Sequence, residues 1–135
     1  MNIAGICEFI LGNTFPFVVF IIYGCHWVNL GYTSDPAHGV VNSYGGAAGA
    51  LNQGYNAGQG NYAVVMALVT FIFLIGSLRT NVPFVLVFLC LVFLFSFIAA
   101  ADFHIGLYGA EGVARATYYL KIAGGFGFVT MMNGW

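Results

Sequence analysis

Charge is what this 135-residue chain has least of: three Lys or Arg and four Asp or Glu, 5% of the sequence. A water-soluble domain carries about 25% charged residues to keep its surface hydrated. So little charge excludes a soluble globule, and three scattered cations exclude the basic patch that nucleic acid requires. Cysteine is also scarce. Cys7, Cys25 and Cys90 are odd in number and lie in apolar runs, which excludes a disulfide framework and reads as small buried hydrophobes. The N-terminus MNIAGICEFIL has no basic leader, and Glu8 interrupts its short apolar stretch, so no cleavable signal peptide is expected. There is no Gly-rich phosphate loop, HExxH, Cys-x-x-Cys pair or Ser-His-Asp set. The three histidines, His26, His38 and His104, fall in different regions. No enzymatic activity, metal site or cofactor is expected.

What is abundant is oil. The chain is 61% hydrophobic and 18% aromatic, with mean hydropathy +0.92, the composition of an integral membrane protein. Its organising stretch is Gly12 to Trp27, GNTFPFVVFIIYGCHW. Gly12, Asn13 and Thr14 supply a turn and a side-chain oxygen able to cap a helix. Pro16 falls in the first turn, where its missing N–H does no harm. No charge appears between Phe15 and Leu30, and at about 1.5 Å per residue that run covers roughly 24 Å of bilayer.

Within this span Tyr23 shares a face with Val19, Phe20, Trp27 and Leu30, and His26 lies on its neighbouring edge. A phenol and an imidazole in hydrocarbon need polar partners, so both should face protein or water. A hydrogen bond between packed helices would meet that need, as would a polar conduit. Trp27, near a span end, has the chemistry of a membrane-interface anchor.

The remaining chain divides by composition. Residues 1–11 resemble the end of a membrane helix, too short to cross; such a segment either lies in the interface or follows further sequence in the natural protein, and the second is the expectation. The first full span is predicted at about 13–31. Residues 32–60 are rich in Gly, Asn, Ala and Tyr and form either an ordered extramembrane cap or a disordered insertion, their last part possible as a helical extension. Further spans are predicted at 61–79, 82–101 and 116–135. Arg79, Thr80 and Asn81 form the turn of a helical hairpin, with Pro83 opening its second helix. Leu91 sits mid-membrane among Val87, Phe88, Leu94 and Phe95, where composition does not separate it from a lipid-facing leucine. Asp102 closes that span, and with His104, Glu111 and Arg115 it marks a second exposed loop. In the last span Lys121 is expected to snorkel, and Ala123, Gly124, Gly125 and Gly127 permit close helix approach.

Four motifs in order carry a resemblance. The run from Gly12 to Trp27 is similar to GNTFGxTAFxSYGxFW, FIFLIGSLRTN (71–81) to FxxFxGTLR, FLFSFIAAADF (93–103) to a fifth helix, and KIAGGFGFVT (121–130) to AGGxxGxxT. These resemble the acetate uptake transporters of the GPR1/FUN34/YaaH type, with the loop style of a fungal member. The resemblance implies an all-α membrane fold: a six-helix protomer of which about four full spans and a partial N-terminal helix are present. The first helix, bearing NPxPLGL, is expected to be missing from this single transmembrane domain. It further implies a homohexamer in the plasma membrane, each protomer conducting acetate or similar short monocarboxylates with a proton.

By the same resemblance the family's constriction falls on Tyr23 and Leu91. Asn13, Thr14, Phe20, His26, Trp27 and Asp102 are the further candidates for lining the path. Ile21 and Ile22 replace hydroxyl-bearing residues, and Cys25-His26 replaces a small or aromatic pair. The path is drier before Tyr23 and gains an imidazole after it. Independent of family, so few intramembrane charges suit only a small solute. A bare carboxylate in a low-dielectric throat meets a penalty of several kcal/mol. Protonating an acid of pKa about 4.3 at pH 7 costs roughly 3.7 kcal/mol. Comparable costs favour passage as the neutral acid or with one proton. Two other readings stand beside transport of acetate: a non-transporting sensor or modulatory subunit, and a conduit for ammonia or another small neutral solute.

Overall fold

Polar residues set ahead of apolar runs start the helices, and the runs supply their packing faces. The computed structural model describes residues 1–135 apart from the side chain of residue 47; it is helical, with no strand among the described residues. The chain divides into two compact units, Met1–Ser43 and Tyr44–Trp135.

In the first unit α1 (Asn2–Ile10) and α2 (Thr14–Ser34) pack against each other. Gly12 turns the chain between them with φ +79°, a left-handed conformation that glycine adopts without strain. Close contact depends on a second glycine: a Cβ at Gly24 would strike the Asn2 amide. The buried residues of α2 are Val19, Tyr23 and Gly24, an i, i+4, i+5 edge. Pro36 disfavours helix in the residue before it, and α2 ends there. Asp35 is extended (ψ 119°), and its carboxylate accepts the Ala37 N–H at 2.9 Å and meets His38 Nδ1 at 3.1 Å. The short helix α3 (Val40–Ser43) closes the unit.

In the second unit a 3-10 segment, Gly46–Leu51, leads into α4 (Gln53–Ser77). Asn52 caps α4, accepting the Tyr55 N–H at 3.1 Å and donating to the Tyr44 carbonyl at 2.7 Å. Buried Asn56 donates to the carbonyls of Ala50 (2.8 Å) and Asn52 (2.9 Å). These bonds order the end of the Gly- and Asn-rich stretch, so α4 begins at Gln53 rather than at residue 61. Its partner α5 (Val82–Tyr108) is longer than the apolar run suggested, in the same region. The two extensions pack on each other. Gly60 lies against Phe103, where a Cβ would stand 3.0 Å from the ring, and Gln53 Nε2 donates to the Leu107 carbonyl at 3.5 Å. The expected exposed loop therefore shrinks to the 3-10 turn Gly109–Gly112, and Asp102 and His104 are half-buried helical residues.

At the other end of this hairpin the turn forms as its sequence indicates. Thr80 closes on the Ser77 carbonyl through its N–H (2.9 Å) and hydroxyl (2.6 Å), and Asn81 caps α5 by accepting the Phe84 N–H at 3.0 Å. Phe88, 1% exposed, fills the α4–α5 seam with its ring 6.0 Å from that of Phe73. Buried Thr70 and Ser77 bond their own helix, donating to the Met66 and Leu74 carbonyls at 2.7 and 2.8 Å, which removes the cost of an unsatisfied hydroxyl.

The last helix, α6 (Val113–Gly134), packs on α5 through Phe126, stacked on Phe93 (5.2 Å) and Phe97 (5.9 Å). The small-residue run of α6 is half used. Ala123 is buried and Gly127 lies against Leu94, whereas Gly124 and Gly125 have nothing beside them within 4 Å.

Three stretches among the described residues are long and apolar enough to cross a membrane: Thr14–Ser34, Gln53–Ser77 and Val82–Gly134. The third has 53 residues, roughly 80 Å as one helix and far beyond the ~30 Å hydrocarbon core. The turn Gly109–Gly112 folds it back into α5 and α6. One expectation is corrected: Cys90 is buried, but Cys7 and Cys25 are exposed. The helix that carries Cys25 is apolar on every side, so an apolar run does not identify its inward edge.

Candidate functional site

The candidate residues fall on two helices, one in each unit. On α2, Tyr23 is 6% exposed beside buried Val19 and Gly24. Phe20 and His26 are half-buried, one turn to either side. Trp27 stands outward at 58% exposure, its indole 5.5 Å from the His26 ring in edge contact, and Leu30 is exposed with it. The face that periodicity assigned to Tyr23 is therefore split. Val19 stays inside with the phenol, while Trp27 and Leu30 turn out. Thr14, the first residue of α2, is exposed.

On α5, Leu91 and Asp102 are both half-buried. Their separation of eleven residues amounts to about 1100° of helical rotation, within roughly 20° of three whole turns, and about 16 Å along the axis. They form one stripe. It runs about 60° or less from Phe88, which meets α4, and at least about 120° from Phe93 and Phe97, which meet α6. The stripe thus lies between the α4 contact at Phe88 and Leu94, which meets Gly127 of α6 about 60° to the other side of Leu91.

Asn13 has a different occupation from the one its position suggested. It precedes the first residue of α2 but makes no side-chain cap. Its amide Nδ2 donates instead to Glu8 Oε2 at 2.6 Å, and its backbone N–H donates to the Glu8 carbonyl at 2.9 Å. A charge-assisted bond to the carboxylate holds the side chain on Glu8, away from the N–H groups of the first turn of α2. Among the described residues no group of three or more His, Cys, Asp or Glu side chains forms a metal site.

Comparison with known proteins gives this arrangement its context. A model of the GPR1/FUN34/yaaH family matches residues 1–135. The chain belongs to this family. Protein alcS of Aspergillus fumigatus, in two strains, is 32% identical to it over 139 residues, covering 96% of this chain and 51% of the relative. Meiotically up-regulated gene 86 protein of Schizosaccharomyces pombe is 26% identical over 133 residues, covering 98% of this chain and 40% of the relative. The chain thus spans about half the length of the curated relatives it matches. No solved structure matches it significantly. Family membership and the apolar helices together make this an integral membrane protein.

Sequence reasoning left Glu8 without a role, although it is the sole carboxylate before Asp35. A lone charge five residues before Asn13, across a glycine turn, was the available signal. His104 carries a second unread feature: its Nδ1 is buried without a hydrogen-bond partner among the described residues, while its ring lies 4.8 Å from that of Tyr108. Nothing in an apolar helix end announces such an imidazole.

Proposed function

We propose that this chain forms part of a conduit or secondary transporter for acetate and similar short monocarboxylates, carried as the neutral acid or with one proton. Tyr23 and Leu91 are the constriction in this reading, and Phe20, His26 and Asp102 line its approaches. The observation that carries it is the inward placement of Tyr23. On a helix whose other inward residues are Val19 and Gly24, the phenol is turned away from lipid, where a polar group has value only against a solute, water or a protein partner. Family membership over the whole chain adds the substrate class through the motifs that hold Tyr23. Thr14 contributes a hydroxyl at the start of α2. Asn13 acts by holding the turn through Glu8, and Trp27 acts as an interfacial anchor. Assembly as a homohexamer and residence in the plasma membrane complete the proposal.

Uptake of radiolabelled acetate into liposomes containing the chain tests it. Saturable uptake is expected, with Tyr23→Ala and Leu91→Ala each changing its rate about tenfold, equivalent to about 1.4 kcal/mol in the barrier. Uptake equal to that of empty liposomes overturns the transport reading. Uptake indifferent to both substitutions overturns the constriction assignment. Competition distinguishes the solute: propionate should displace labelled acetate and ammonium should not, and the reverse order indicates a conduit for ammonia.

A further inference from the structure

Asp102 is a carboxylate in the wrong place for a boundary residue. The helix continues beyond it to Tyr108, it is half-buried, and no cation pairs with it among the described residues. An uncompensated charge held partly out of water is costly and persists in membrane proteins where it faces a path or cavity. Its stripe on α5 is that of Leu91, three turns away, bordering the side that Phe88 and Phe103 give to α4. Lys121 and Arg115, the cations of the neighbouring α6, are exposed and form no ion pair with Asp102.

We propose that Asp102 is a specificity-determining residue, an anion filter at one mouth of the conduit, which favours the uncharged acid over its anion and disfavours dicarboxylates. This rests on the transport reading above. A fixed negative charge acts on a passing carboxylate by Coulomb repulsion. At a separation near 10 Å and an effective dielectric of about 20, one additional solute charge is rejected by about tenfold. The neutral acid feels only the dipolar remainder. Coupling of a proton to uptake then needs no proton-binding relay in the protein, because the filter selects the form that already carries one.

The test compares three solutes in liposomes containing the chain at about pH 8, where free carboxylates are ionised: labelled acetate, labelled succinate and neutral acetamide. Asp102→Asn should raise the succinate-to-acetate ratio about tenfold and also raise acetate relative to acetamide. Asp102→Glu keeps the charge and should retain the discrimination whatever its absolute rate. Acetamide permeation reports that each variant has assembled an open path. On the unaltered chain, raising salt from about 0.01 M to 0.15 M shortens the Debye length from roughly 30 Å to 8 Å, so succinate should gain on acetate. If Asp102→Asn does not fold, this salt response decides. Ratios that do not move in the folded variant, or in salt when the variant does not fold, overturn the filter. So does a fall of acetate relative to acetamide, which makes Asp102 an attractive group. A chain that admits no acetate at all overturns the transport reading and the filter together, whereas acetate uptake with fixed ratios overturns the filter alone.

Discussion

At the scale of single residues, hydrogen-bonding capacity explains more than hydrophobicity. Asn13 occupies a position where a cap is expected, yet its amide serves Glu8 at 2.6 Å. The bond is exposed and charge-assisted, so a net contribution of about 1 kcal/mol is appropriate. Glu8→Ala should lower the denaturation midpoint of the detergent-solubilised chain by that order. Glu8→Gln, whose amide oxygen still accepts, should recover most of it, and equal losses in both variants would remove the hydrogen bond as the cause. Trp27 offers a second reading at this scale. With Trp135 replaced by Phe, Trp27 is the only indole left. Its 58% exposure predicts strong quenching by brominated acyl chains; weak quenching would return Trp27 to the conduit. The sequence made Tyr23 visible because a phenol in an apolar run is chemically conspicuous. It did not separate Tyr23 from Trp27, only about 40° away on the helix, because α2 is apolar all round and has no stripe to mark its inner edge.

At the scale of elements, the hairpin of α4 and α5 was legible from its turn: Asn81 as cap, Pro83 in the first turn, and an apolar run on either side. Its far end was not. QGYNAGQGN reads as loop or as an extension of the next helix, undecided because glycine disfavours helix by about 1 kcal/mol relative to alanine. ADFHIGLY reads as a helix end because of Asp102 and His104. The two segments pack on each other in the structure. Gly60 gives Phe103 room, and Gln53 reaches the Leu107 carbonyl. Intrinsic propensity is a local quantity, whereas this contact joins residues more than forty positions apart and is invisible to it. Gly60→Val should expose the dependence. Its Cβ would start 3.0 Å from the Phe103 ring, an overpacking that typically costs about 1–3 kcal/mol. Loss of amide hydrogen-exchange protection should appear in 53–60 and 103–108 together. Protection lost in 53–60 alone would show that the two ends are independent.

At the scale of the whole molecule, the surface is matched to lipid rather than to water. On α4 the residues Leu68, Phe71, Ile72 and Ile75 are all more than 45% exposed, and with only seven charged side chains in the chain nothing hydrates such a face. In hydrocarbon the same exposure carries no penalty, since lipid tails are as apolar as the side chains. The three cysteines report on this arrangement without any substitution, because Cys7 and Cys25 are exposed and Cys90 is buried. In native membranes a small lipid-soluble maleimide should modify the first two, and Cys90 should react only after denaturation. A bulky water-soluble maleimide should leave Cys25 unmodified, because its helix carries it into hydrocarbon within the span Thr14–Ser34. Rapid modification of Cys25 by the water-soluble reagent would place that side of α2 against water. The outward edge of the helix would then be the wet one, and Tyr23, on the opposite edge, would lose its claim to the conduit.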